Sequence, residues 1–126
     1  MFLMRSHVES IAIAATPAQT FDFVADLDKL PIWAIGFAKS VERSASGDFV
    51  TTASGERVAI RIEMNTDHGI VDYVMSPCPG VESPAYTRVV DINGSSLYTF
   101  VMLQAPSVPD EVFAAQIAEL RRELTV

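Results

Sequence analysis

Arg88 is the residue whose type and setting offer the most chemistry. It shares one strand face with Tyr86, Val90 and Ile92, while Thr87, Val89 and Asp91 point the other way. If the first face is concave, a guanidinium enters an apolar cavity, where its two-pronged donor set suits a carboxylate or enolate-like oxygen. The alternative is an ion pair with Glu63 or Asp72, or an arginine that faces solvent. Tyr73 and Tyr86 each offer an apolar body with one orienting hydroxyl. Ordinary sheet packing explains them equally well. Asp72 sits mid-strand among apolar neighbours. Buried, it would have a raised pKa and could serve as a general acid or base with Tyr73. On an outer, wet face it would do neither. Trp33 falls where short helices should meet the sheet edge, either gating a pocket or anchoring the packing.

Other chemistries lack their signatures. His7 and His68 lie far apart in the chain with no ligand spacing around them, so no metal site is expected. Cys78 sits among prolines without a nearby base and reads as an incidental thiol. No glycine-rich phosphate loop, nucleophile elbow or dinucleotide fingerprint occurs, and no cofactor is expected.

The elements that must position these residues follow from periodicity. Ser6 to Ala14 alternates as a strand. Thr16-Pro17-Ala18-Gln19 reads as a capping box with proline at the first helical position, opening a helix to about Ala25. Asp26 to Trp33 reads as a second short helix, limited by Pro31. Val41–Arg43, Phe49–Ala53, Arg57–Met64, Ile70–Met75, Tyr86–Ile92 and Leu97–Gln104 read as strands separated by turn residues. Asn93-Gly94 is the strongest hairpin signal, since both residues tolerate positive φ. Pro77 to Pro84 reads as an exposed loop, too proline-rich for a ladder. Ser107 reads as the cap of a last helix whose apolar stripe is Phe113, Ile117, Leu120 and Leu124; Glu111, Gln116, Glu119, Arg122 and Glu123 are placed off that stripe.

Length and composition set the outer limits. The 126 residues are 49% hydrophobic and 20% charged, which suits one globular domain over 1–126. The net charge of -7 argues against nucleic acid, and no apolar run is long enough to span a bilayer. A lone cysteine and no export signal point to a reducing, cytoplasmic setting.

The stretch His7–Ile13, then Thr16–Asp26, then Leu30-Pro31-Ile32-Trp33, resembles the opening of the START-like superfamily, also called SRPBCC, with polyketide cyclase/dehydratase-like members. Gly69–Tyr73, Arg88-Val89-Val90 and the final helix from Asp110 to Leu124 resemble later segments of that superfamily. The resemblance implies a helix-grip fold with a cavity for small apolar or amphipathic molecules, and it carries no universal catalytic set.

The expected fold is therefore α+β: a curved antiparallel sheet of about seven strands gripping a long C-terminal helix, with two short helices after the first strand. The expected function is binding of a small hydrophobic or amphipathic molecule between sheet and helix. Trp33, Phe37, Tyr73, Phe113 and Ile117 would supply contact, and Tyr86 and Arg88 orientation. Two alternatives stand beside it. One is a cyclase/dehydratase-like enzyme using Asp72 and Tyr73. The other is a partner-binding domain with a self-filled core, including a homodimer through an exposed strand edge.

Overall fold

The computed structural model describes residues 4–105 and 107–125. The chain opens with β1 (Ser6–Ile13), followed by α1 (Pro17–Val24), a single 3-10 turn over Leu27–Lys29 and the one-turn α2 (Leu30–Trp33). A meander follows: β2 (Ala38–Ser44), β3 (Gly47–Thr52), β4 (Arg57–Asn65), β5 (Ile70–Cys78), β6 (Val81–Ile92) and β7 (Ser95–Leu103). Then comes α3 (Asp110–Glu123). All strands form one seven-stranded antiparallel sheet in the order β1-β7-β6-β5-β4-β3-β2. This is the α+β helix-grip arrangement the sequence predicts.

Local signals explain most element ends. The Thr16 hydroxyl accepts the Gln19 N–H at 3.2 Å, and the Gln19 side chain accepts the Thr16 N–H at 3.0 Å, so the capping box forms. Asp26 caps the 3-10 turn by accepting the Asp28 N–H at 3.0 Å. Asn93 (φ 58°) and Gly94 (φ 92°) close the β6–β7 hairpin with the positive φ values expected of them.

Two expectations are corrected. Pro77 to Pro84 is not a free loop but the β5–β6 hairpin, with Val74 paired to Pro84, Met75 to Ser83 and Cys78 to Val81. The prolines are accommodated because Pro77 falls in a register shift between Met75 and Cys78, while Pro84 lies beyond the last β6–β7 pair, Tyr86 with Val101. Ser107 does not cap α3. The N-cap is Pro109, whose extended backbone (φ -63°, ψ 157°) has no side-chain cap; Asp110 and Glu111 in the first turn instead complement the helix dipole.

One sheet face carries the core. Val71, Tyr73, Thr87, Val89, Ser96 and Tyr98 are buried there, while their strand neighbours Tyr86 and Arg88 are exposed. Phe21, Val24, Leu27, Leu30 and Trp33 from the short helices pack into the same cluster. The short helices, not α3, therefore cover the middle of the sheet. A buried hydroxyl chain ties them down: Thr20 donates to Ser96 at 2.9 Å, and Ser96 donates to the Ala15 carbonyl at 2.8 Å. α3 leans on β1 at the far edge, with Arg121 bonded to Glu9 at 2.8 Å and Arg5 to Asp110 at 3.0 Å.

Two substitutions test this frame. Gly69 has φ 66°, and a Cβ there would overlap the Val89 carbonyl oxygen, whose own N–H donates to Gly69 O at 2.8 Å. Gly69→Ala is expected to lower unfolding free energy by more than ~2 kcal/mol in urea titration. Ser96→Ala strands both hydroxyl-chain partners in the core and is expected to cost about 1–3 kcal/mol in the same measurement.

Candidate functional site

The concave face is covered unevenly, and a cavity of about 580 Å³ lies between the sheet, the segment after α2 and α3. Its floor is Ile60, Tyr73, Met75, Ala85 and Phe100, contributed by four neighbouring strands. Leu30, Trp33 and Phe37 form one wall. Gln116, Glu119, Leu120 and Glu123 line it from α3. The exposed turn Ala53-Ser54 with Glu56 lies at the rim. A second cavity, about 690 Å³, opens between β1, α1 and the end of α3. The two share Trp33 and Glu123.

Trp33, Phe37 and Tyr73, singled out from sequence, all line the first cavity. Tyr86, Arg88 and Asp72 do not. Tyr86 is 43% exposed, Arg88 is exposed and donates to the His68 carbonyl at 3.3 Å, and Asp72 stands opposite Tyr86 in the register. These three therefore occupy the convex face, which corrects the expected orientation of the Arg88 face. The reason is the partner strands. Thr87 can donate its hydroxyl to the Val71 carbonyl inside the sheet, whereas a guanidinium there would be buried among apolar groups without a carboxylate. Phe113 is buried but packs nearer β1, with the Arg5 guanidinium 5.4 Å from its ring centre. Ile117 is half-buried; neither lines either of these two cavities.

The aromatic wall is well ordered chemically. The Trp33 ring meets Tyr73 at 6.3 Å and Tyr98 edge-on at 6.1 Å. The Tyr73 hydroxyl donates to the Val24 carbonyl and lies 3.4 Å from the Tyr98 hydroxyl. Burial pushes Tyr73 well above the usual tyrosine range and Tyr98 up to about 12. Both stay protonated at neutral pH, so Tyr73 is a wall residue with its hydroxyl engaged, not a proton shuttle. The Trp33 indole Nε1 is buried with no partner among the described residues.

Sequence reasoning missed Glu123. It was placed off the apolar stripe, yet it is only 7% exposed. Its Oε2 accepts the Gly36 N–H at 3.1 Å, and the Phe37 N–H also faces it. Burial raises its pKa to about 7, opposed by the Gly36 N–H and aided by the Glu119 carboxylate. Gly36 lies close against α3, since a Cβ there would overlap the Glu119 side chain. The signal was present in the spacing: Gln116, Leu120 and Glu123 follow one another by four and three residues, the same rhythm as the apolar stripe. Among the described residues no group of three or more potential metal ligands occurs, and Cys78 is exposed.

No family model matches this chain, and no curated protein matches it. Solved structures do. An uncharacterised protein from Bacillus thuringiensis is 16% identical with a TM-score of 0.73, covering 96% of this chain and 94% of that one. A START superfamily protein from Mycobacterium smegmatis is 14% identical with a TM-score of 0.63, covering 94% and 93%. The Streptomyces aromatase/cyclase Zhui is 14% identical with a TM-score of 0.68, covering 98% and 88%. At such identities the likeness is one of architecture. It extends over nearly the whole of each chain, through proteins named for different things, and on that architecture this chain has the START-like, or SRPBCC, helix-grip fold.

Proposed function

We propose that the chain reversibly binds a small apolar or amphipathic molecule in the cavity between the sheet and α3. The observation that carries this reading is the cavity itself. Its volume of about 580 Å³ falls inside the ~300–1,000 Å³ range of small-molecule sites, and its floor and wall are apolar and aromatic. Architectural likeness to a START superfamily protein and to an aromatase/cyclase supports a hollow fold used for small organic molecules. A self-filled core would leave no cavity of this size. Contact would come from Phe37, Tyr73 and Trp33, joined by Met75, Ala85 and Phe100. Phe113 and Ile117 would act through packing, and Tyr86 and Arg88 would take no part.

A second reading turns the ligand over instead of holding it. Asp72 cannot serve it from the convex face. Glu123 favours it, as a buried carboxyl on the cavity wall with a pKa raised by burial to about 7, in the range useful for proton transfer. Native and denaturing mass spectrometry of the purified protein separates the readings at once: a binder is expected to carry a small mass that is released unchanged on denaturation. Repeated recovery of the bare chain from every preparation argues for transient occupancy.

The neutral dye Nile red gives a direct test of location. Ala85→Phe fills the floor and is expected to weaken dye binding by about tenfold or more at an unchanged circular dichroism spectrum. Arg88→Ala, on the opposite face, is expected to stay within about twofold of the parent. Equal effects of the two substitutions would place the site elsewhere.

A further inference from the structure

We infer that the preferred ligand is an apolar molecule bearing a protonated amino group, held by Glu123 at the wall between the two cavities. This rests on the binding reading above and names its substrate class. The charged residues lining the first cavity are Glu56, Glu119 and Glu123; no lysine, arginine or histidine is among its described lining. The second cavity adds none, and Glu123 is its single charged lining residue. A ligand carboxylate would meet only like charge there. A ligand ammonium would meet a carboxylate in a setting that amplifies the attraction.

Three features make Glu123 the anchor. It is buried, yet no cationic side chain among the described residues comes within ion-pair distance of it. Arg122, the nearest candidate in sequence, bonds Glu119 instead. The Gly36 N–H holds one carboxylate oxygen and thereby fixes the group in the segment that walls the cavity. Trp33, the other residue common to both cavities, adds an aromatic surface of the kind that attracts ammonium ions. An ionised carboxylate left there alone carries a desolvation cost that a bound cation offsets. The apolar tail would then lie along Phe37, Met75 and Phe100.

The groups facing Glu123 set how pH enters. Glu119 and Arg122 share its helix, Glu56 stands at the rim, and Tyr73 and Tyr98 stay neutral across the relevant range. Glu123 has an ordinary value of 4.5 in the unfolded chain and about 7 in the fold. Its ionisation therefore costs stability that is absent below the unfolded value and fully felt above the folded one.

The test is displacement of Nile red by decylamine, decanol and decanoate, matched in chain length and used below their aggregation limits. At about pH 8, decylamine is expected to displace at a concentration about tenfold or more below decanoate, with decanol between them. Lowering the pH to about 5.5 protonates Glu123 and is expected to shrink the advantage of decylamine over decanol to about twofold or less, although the amine stays charged and the alcohol does not titrate. Glu123→Gln is expected to do the same at about pH 8, and to melt no lower than the parent there because the buried charge is gone. Glu111→Gln, which removes an exposed negative charge from the same helix, is expected to leave the amine preference unchanged and so separates the site from the overall negative charge. Decanoate displacing as well as decylamine overturns the proposal and leaves the cavity reading standing. So does a Glu123→Gln protein that keeps the full amine preference. If Glu123→Gln does not fold, the pH series on the parent decides alone. Failure of all three compounds to displace the dye overturns both readings.

Discussion

The structure depends on a mismatch of area. Seven strands at about 4.8 Å spacing make a sheet roughly 30 Å across, and its longer strands run to a similar length. The 14 residues of α3 make a rod of about 21 Å, and α1 is shorter still. Together these helices cannot close the concave face of a twisted sheet. α1, the 3-10 turn and α2 cover its centre, where Tyr98, Val71 and Trp33 are packed, and α3 covers the β1 edge. What neither reaches stays hollow. The cavity is thus a consequence of element lengths before it is a matter of any single residue.

Inside such a fold, polar atoms must find partners or be neutral. The backbone supplies most of them. Tyr73 gives its proton to Val24, Thr87 to Val71 and Ser96 to Ala15, each a side chain tied to a carbonyl that would otherwise sit in an apolar setting. These bonds fix the orientation of the wall and leave it chemically quiet. Glu123 differs in kind, because its partners are backbone N–H groups and no cationic side chain among the described residues forms an ion pair with it. It lines both cavities, and among the described residues it is the one charged side chain that is buried.

The fold was largely legible in the residues because its signals are local. The Thr16–Gln19 box, the Asn93-Gly94 turn and the order of alternating segments each act within a few residues of themselves. The site was legible only in part, because its geometry is set across strands. On β6 the faces Tyr86-Arg88-Val90 and Thr87-Val89-Asp91 are each mixed in polarity, so alternation alone does not say which is inside. The neighbours decide it: Thr87 stands between Val71 and Phe100, and Arg88 between Ile70 and Thr99. The hairpin from Pro77 to Pro84 was hidden for a related reason, since a proline disqualifies a strand only where a partner needs its missing N–H. Glu123 was hidden by residue type, because a glutamate among helix charges reads as solvated until a loop closes over it.

Among the described residues β1 pairs with β7 alone, which has a consequence for the order in which this molecule is made. β1 precedes its partner by almost a hundred residues in the chain, since Ser6 faces Leu103 across the ladder. Until that partner is synthesised, β1 is an unpaired edge, while the hairpins from β2 onward can zip in sequence behind it. The nascent chain therefore completes this sheet by a late, long-range closure of β1 onto β7. α3, whose Arg121 grips Glu9 on β1, seats after that closure. In this topology the pair that closes the sheet is the one of longest range, and β1 keeps an open edge until β7 has emerged.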